Sequence, residues 1–345
     1  MDLSTSGCDW NSVVEHAIEN GTATLLFSQL ASKGFHGMPP AVVDRLRKIY
    51  LSTLISNRRM MADAAHAVQL LENGGVKTVL IKGMAMLADV YEDAALRRTS
   101  DADILIHFED LDRAKKILMS DGFACDPLAD KSSFANELGF GRKNTVFVEV
   151  RWDMCHHDRF RFCNRFSMGG IFTGAAAADL NGAAVKIPSP EYQLLIAAFH
   201  QSFVHHFEKK MWLYDIVAIA DRYGKDLSWE RVVQLSETCG MRRALAYTFL
   251  RARREFNFSM KLPLEISRLR VRLLDACSRR RYGFLVELLL LDCLKDLLLY
   301  AAGVLWPSDG WLKHHYRTSS TRPWRFLHPF LVAAGAIKKI LGIWS

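Results

Sequence analysis

A chain of 345 residues is too long for one small core and, at about 150 residues per domain, suggests about two domains. Half of the residues are hydrophobic, 24% are charged, and 21 Gly with 9 Pro exclude collagen-like, low-complexity and mainly disordered classes. The net charge of +8 is unevenly spread: residues 1–239 carry 26 Lys and Arg against 30 Asp and Glu, 240–281 carry 12 against 3, 282–309 carry 1 against 4, and 310–345 carry 6 against none.

The first 75 residues read as helices over Trp10–Asn20, Ala23–Lys33 and about Pro40–Asn73, where Val43, Leu46, Tyr50 and Leu54 recur at helical spacing. Pro39-Pro40 starts the long helix and Asn73-Gly74-Gly75 stops it. The period then changes. Val76–Ile81 reads as a strand, Met84–Tyr91 as a helix, Ala102–Ile106 as a strand, Leu111–Ser120 as a helix capped by Asp110 and stopped at Gly122, and Thr145–Val150 as a strand. After Pro188-Ser189-Pro190 the expected elements are helices over 190–206, 208–224, 228–239, 241–256, 262–280 and 282–303, with a turn at Pro307-Ser308-Asp309-Gly310. The expected fold is α+β: N-terminal helices (1–75), a small mixed-sheet core (76–187), a mainly helical domain (188–309) and a basic C-terminal tail (310–345).

Seven scattered cysteines in a chain of this size point to reduced thiols and a cytoplasmic location. The start, MDLSTSGCDW, lacks the apolar segment of a signal peptide. Phe284–Trp306 is apolar but interrupted by Glu287, Asp292, Lys295 and Asp296, so it reads as a buried helix rather than a membrane span.

The chemistry concentrates in Lys82-Gly83 and in Arg97-Arg98-Thr99-Ser100-Asp101-Ala102-Asp103. Residues two apart on a strand share a face, so Asp101 and Asp103 set two carboxylates side by side. Such a repelling pair is cheap to keep only around a cation, and hard oxygen ligands suit Mg²⁺ or Mn²⁺. Glu149 is the single acid of an apolar strand and completes a triad if that strand lies beside the first. A site of this kind can hold one or two divalent ions that bridge a nucleotide's phosphates. Lys82 and Arg98 supply cations for a triphosphate, and Gly83 permits close backbone approach at a helix start.

Lys82-Gly83, Arg98-x-x-Asp101-x-Asp103 and the helix that follows resemble the uncharacterised nucleotidyltransferase family of the DNA-polymerase-β-type superfamily. Glu149-Val150-Arg151-Trp152 is similar to that family's acid-x-His-Trp strand, with Arg151 replacing the usual His. Pro190-Glu191, His200 and Trp212-Leu213-Tyr214-Asp215 extend the likeness, which runs from about Leu70 to Arg222. It implies metal-dependent transfer of a nucleoside monophosphate from an NTP to an acceptor, with Asp101, Asp103 and Glu149 as metal ligands. Lys82, Gly83, Arg98, Ser100 and Lys210 are then expected at the nucleotide, and His200 and Asp215 on a nucleotide or acceptor wall. The acceptor remains open among small molecule, peptide, protein and tRNA. The alternative is a non-catalytic nucleotide- or RNA-binding module on the same fold.

Three weaker signals complete the reading. Cys155, His156, His157 and Cys163 have zinc-ligand chemistry without zinc-site spacing. Arg242, Arg243, Arg251, Arg253, Arg254 and Arg279–Arg281 form either a solvated basic face or a seat for a polyanion such as tRNA. Phe326–Trp344 reads as an apolar helix that packs on the helical domain or a partner, with contact to a membrane surface as the less favoured alternative.

Overall fold

The computed structural model describes residues 8–130, 136–154, 158–160, 163, 165–260, 262–279 and 282–340. Its elements are α1 (Trp10–Glu19), α2 (Ala23–Ala31), α3 (Pro40–Asn73), β1 (Val79–Ile81), α4 (Lys82–Ala85), β2 (Asp101–Leu105), α5 (Leu111–Ser120), β3 (Ala124–Asp130), β4 (Glu137–Gly141), β5 (Phe147–Arg151), α6 (Met168–Thr173), β6 (Ala176–Leu180) and β7 (Ala183–Ile187). A run of helices follows: α7 (Pro190–Phe199), α8 (Lys210–Tyr223), α9 (Trp229–Thr238), α10 (Arg242–Phe256), α11 (Arg268–Arg279), α12 (Gly283–Leu290), α13 (Leu294–Leu305), α14 (Asp309–Tyr316) and α15 (Arg322–Ile340). This is the α+β fold expected, with a small mixed sheet and a helical C-terminal region.

The sheet has the order β1-β2-β5-β4-β3. Only β2 and β5 are parallel, and the chain crosses between them through α5 and the β3–β4 pair, because parallel neighbours need a crossover. The hairpin β6–β7 stands as a second, two-stranded sheet. One buried core joins the sheet to the helices from α7 onward, while Trp10, Val14, Leu30 and Leu46 form a separate small cluster under α1 and α2. Helix α3 belongs to both: its first half closes the small cluster, and Met61, Ala64, Val68 and Leu71 of its second half enter the main core.

Several expected elements change in detail. Helix α3 stops at Gly75, whose φ of +78° suits only glycine, and α5 is followed by Gly122 at +85°. Asp110 makes no side-chain cap; its carboxylate instead pairs with Arg113 at 3.5 Å. The stretch expected as one helix over 282–303 is broken between α12 and α13, where the Asp292 carboxylate accepts the backbone N–H groups of Arg242 and Arg243, each at 2.8 Å. That bond satisfies otherwise orphaned donors at the start of α10, a stronger pull than continuing the helix. Phe284–Trp306 is also not wholly buried, since Phe284, Leu294, Leu298 and Trp306 are exposed. The turn at Pro307–Gly310 is a helix start, with Ser308 Oγ capping the Trp311 N–H at 3.2 Å. Strands β3, β4, β6 and β7 are additions to the sequence reading; they are rich in Ala and Gly and carry weak strand signals. Cys155, His156 and His157, considered for zinc, lie outside the described residues.

Candidate active site

Strand β2 is the centre of the site because it has a partner on each side. Ile81 of β1 and Glu149 of β5 both stand opposite Asp103. The register therefore delivers the end of β1, the Asp-x-Asp pair and Glu149 to one place. Oxygens of Asp101, Asp103 and Glu149 lie within 4.8 Å of one another.

Two cations hold this cluster. Lys82 Nζ donates to Asp103 Oδ1 at 2.6 Å, and Arg151 Nε donates to the same oxygen at 2.9 Å. Arg151 is 1% exposed and also donates to the buried Glu137 and, at 3.4 Å, to Glu149. Glu137 sits directly across from Arg151 on β4. Arg151 is thus a buried guanidinium shared among three carboxylates. An unpaired buried arginine would be costly, so Glu137 and Arg151 fit as a unit.

The electrostatics split the acids. Burial pushes the Glu149 carboxyl up to about 7, helped by the negative charge of Asp103. Burial and Asp103 raise Asp101 as well. Burial opposes ionisation of Asp103 too, but Lys82 and Arg151 outweigh it and leave that carboxyl below its usual range. Fully ionised, the four carboxylates Asp101, Asp103, Glu137 and Glu149 exceed the two cations Lys82 and Arg151 by two negative charges, which one divalent cation balances. Hard oxygen donors with that excess fit Mg²⁺ or Mn²⁺.

Local backbone geometry explains Lys82-Gly83. Lys82 leaves β1 with φ of +52°, a left-handed conformation unusual for a lysine. Gly83 follows, and a Cβ there would overlap Thr99 Oγ1 and come within 2.7 Å of Arg97 Nη1. Only glycine lets the start of α4 pass beneath the Thr99 segment.

The loop before β2 is pinned from three directions. Buried Asn57 of α3 donates to the carbonyls of Ala94 at 2.6 Å and Arg97 at 2.7 Å. Thr24 of α2 donates to the Leu96 carbonyl at 3.0 Å. Arg97 turns the other way and makes a two-pronged pair with Asp215 of α8, at 3.1 Å and 3.0 Å, while Tyr91 donates to Asp215 at 2.8 Å. Asp215, expected on a nucleotide or acceptor wall, is buried and anchors the helical part to this loop.

Beside the carboxylates a cavity of about 410 Å³ opens, lined by Lys82, Gly83, Arg97 through Asp101, and Asp103 on one side. His200, His205, Lys209, Met211, Trp212, Ile18 and Gly21 complete the lining. His205 stacks on Trp212 with ring centres 3.6 Å apart and shares a 3.0 Å nitrogen contact with His200. Burial, then the Lys82 charge, holds His200 well below the usual histidine range, so it stands neutral.

The sequence reading and the structure agree on the placement of Lys82, Gly83, Arg98, Ser100, Asp101, Asp103 and His200 around this cavity. Glu149 joins the carboxylate group. They differ at Lys210, which pairs with Glu255 at 3.0 Å, while Lys209 lines the cavity. The sequence reading did not foresee Glu137, Asn57 or the place of Ile18 beside the cavity.

The model of the uncharacterised nucleotidyltransferase family matches residues 6–257. A comparison with curated proteins finds no match. Among solved structures, an antigenic nucleotidyltransferase-like protein from Paracoccidioides brasiliensis is 16% identical, over 54% of this chain and 92% of that one, with a TM-score of 0.35. A tRNA nucleotidyltransferase, solved with a primer tRNA and an incoming ATP analogue, is 12% identical over 76% of this chain and 91% of its own, with a TM-score of 0.24. Scores this low support no residue correspondence, and the assignment rests on the family match: the chain belongs to the uncharacterised nucleotidyltransferase family.

Proposed function

We propose that the protein is a metal-dependent enzyme that transfers a nucleoside monophosphate from an NTP to an acceptor hydroxyl, amine or phosphate. The observation that carries this reading is the convergence of Asp101, Asp103 and Glu149 within 4.8 Å beside a cavity bearing Lys82 and Arg98.

A divalent ion at the three carboxylates, when bound, neutralises charge on the α-phosphate and the departing pyrophosphate. Lys82 and Arg98 bind the triphosphate tail, and the Ser100 hydroxyl donates to it. The acceptor's lone pair forms a bond to the α-phosphorus, and the bond to the bridging oxygen breaks. Pyrophosphate leaves with that electron pair, while the acceptor proton passes to the Glu149 carboxylate. Arg151 and Glu137 hold Asp103 and Glu149 in place, and Trp212 with His205 offers an aromatic face for a base.

The test is to incubate the protein with each labelled NTP, Mg²⁺ or Mn²⁺, and a cell extract. Transfer of label that is lost in Asp101→Asn and Asp103→Asn supports the reading, and wild-type transfer in both variants overturns the site. Calorimetry separates the non-catalytic alternative. NTP binding that needs no divalent ion and survives Glu149→Gln would favour a binding module.

A further inference from the structure

The C-terminal helix α15 packs through one side only. His328 is its buried contact: its Nε2 lies 3.0 Å from the Val304 carbonyl at the end of α13, and its Nδ1 lies 2.8 Å from the Tyr316 hydroxyl of α14. The side turned away from His328 carries Phe326 at 75% exposure and Phe330 at 74%, and the flank between them and His328 carries Leu327 and Leu331 at 50% each. These four residues sit at i, i+1, i+4 and i+5, so they form one continuous stripe. Trp306, two residues after Val304, adds another ring at 64% exposure. Single exposed apolar residues are ordinary, but large rings stacked on successive turns mark a surface built to be covered.

Charge identifies the cover. Residues 310–345 carry six Lys and Arg and no Asp or Glu. Arg322 lies one turn before Phe326 on the same stripe and is exposed, as are Lys313 and Arg317. The nearby Asp309 is engaged by Arg325 in a two-pronged pair at 3.0 Å and 2.8 Å. A second copy of this chain would bring the same cations face to face with no carboxylate in either segment to meet them. A bilayer with anionic headgroups accepts both parts of the surface, rings into the acyl boundary and cations at the phosphates. No helix among the described residues is long and apolar enough to cross a membrane, so the contact is one of lying on the surface.

We infer that the α15 face, with Phe326 and Phe330 as its insertion points and Arg322 beside them, docks the protein onto anionic lipid surfaces. This inference does not depend on the proposed nucleotidyl transfer. Docking would hold the chain against a membrane whatever the carboxylate site does.

The experiment is co-sedimentation of the full chain with vesicles of phosphatidylcholine alone and of phosphatidylcholine with about a third phosphatidylglycerol. It is run with the wild type, Phe326→Ser/Phe330→Ser and Arg322→Glu. All three positions are exposed, and unchanged thermal midpoints would confirm that the variants fold. The expected result is binding to the anionic vesicles, weakened about tenfold or more by the double substitution and several-fold by Arg322→Glu or by raised salt. Failure of the wild type to sediment with anionic vesicles overturns the proposal. So does equal binding by the double variant. Sedimentation equilibrium on the same proteins gives the third outcome: a dimer that the double variant dissolves, without vesicle binding, assigns the face to a second copy and overturns the lipid assignment.

Discussion

In the sheet, where β2, β5 and β4 lie side by side, Asp101, Asp103, Glu149 and Glu137 meet two cations, Lys82 and Arg151. In the helical part, the buried Glu287 alone meets Arg159 at 2.9 Å and His206 at 2.8 Å, and it accepts from Tyr300. Both places bury carboxylates, and both are ordered by arginine. The charge balance differs. Burial opposes ionisation of Glu287, but the His206 hydrogen bond and the Arg159 charge outweigh it, so its carboxyl titrates below the usual range. Glu149 and Asp101 are raised first by burial and then by the negative charge of Asp103. A satisfied buried acid stabilises a fold, whereas an excess of buried acid beside a cavity leaves room for a ligand's positive charge.

The largest effect that would break this comparison is on transfer. Asp103→Asn is expected to lower NTP-dependent labelling by about a thousandfold, as loss of a central charge-stabilising group does. Glu287→Gln should leave labelling per folded molecule unchanged while costing about 3 kcal/mol in denaturant unfolding, since it strands Arg159. Equal losses of labelling in both variants would erase the distinction.

Stability should separate the two aspartates of the pair. Asp103→Asn takes from Lys82 its carboxylate partner and from Arg151 one of three, and is expected to cost about 3 kcal/mol in metal-free protein. Asp101→Asn relieves repulsion at a raised carboxyl and should hold or raise the thermal midpoint.

The pH dependence should have opposite signs at the two places. Between about 4.5 and 7 the folded protein keeps the Glu149 proton that the unfolded chain has released, so metal-free stability falls as pH rises through that window. The full shift corresponds to about 3 kcal/mol as an upper bound, and Glu149→Gln should flatten it. Glu287 contributes stability that is present above the ordinary glutamate range and is lost as pH falls below it. Thermal melts of wild type, Glu149→Gln and Glu287→Gln across pH 4 to 8 read both slopes.

The smallest effect sharpens the role of Lys82. Because its Nζ lies 2.6 Å from Asp103, Lys82→Met should strengthen nucleotide-free Mn²⁺ binding several-fold in titration calorimetry while weakening NTP binding. Weaker Mn²⁺ binding in that variant would contradict a competition between the ammonium and the metal.

Much of the site was legible because strand chemistry is local. Asp101 and Asp103 had to share a face, and Glu149 stood out as an acid in an apolar strand. The pairing of Asp103 with Glu149 was a conditional expectation, and the parallel register of β2 and β5 meets it. Lys209 and Lys210 show the limit. Lys209 precedes α8 in an extended conformation and Lys210 begins the helix, so one residue decides which ammonium reaches the cavity. Periodicity locates helix starts only to within a few residues, too coarse for that choice.

The sequence by itself determined the α+β layout, the Asp-x-Asp strand and the concentration of positive charge beyond residue 240. These follow from spacing and residue type along a short stretch. Only the tertiary structure decided that Arg151 bridges three carboxylates, that Asp215 serves Arg97, and that α15 leaves its aromatic stripe bare. Each of these depends on which distant residue packs opposite, and burial decides whether a charge is held by a partner, by a ligand or by water.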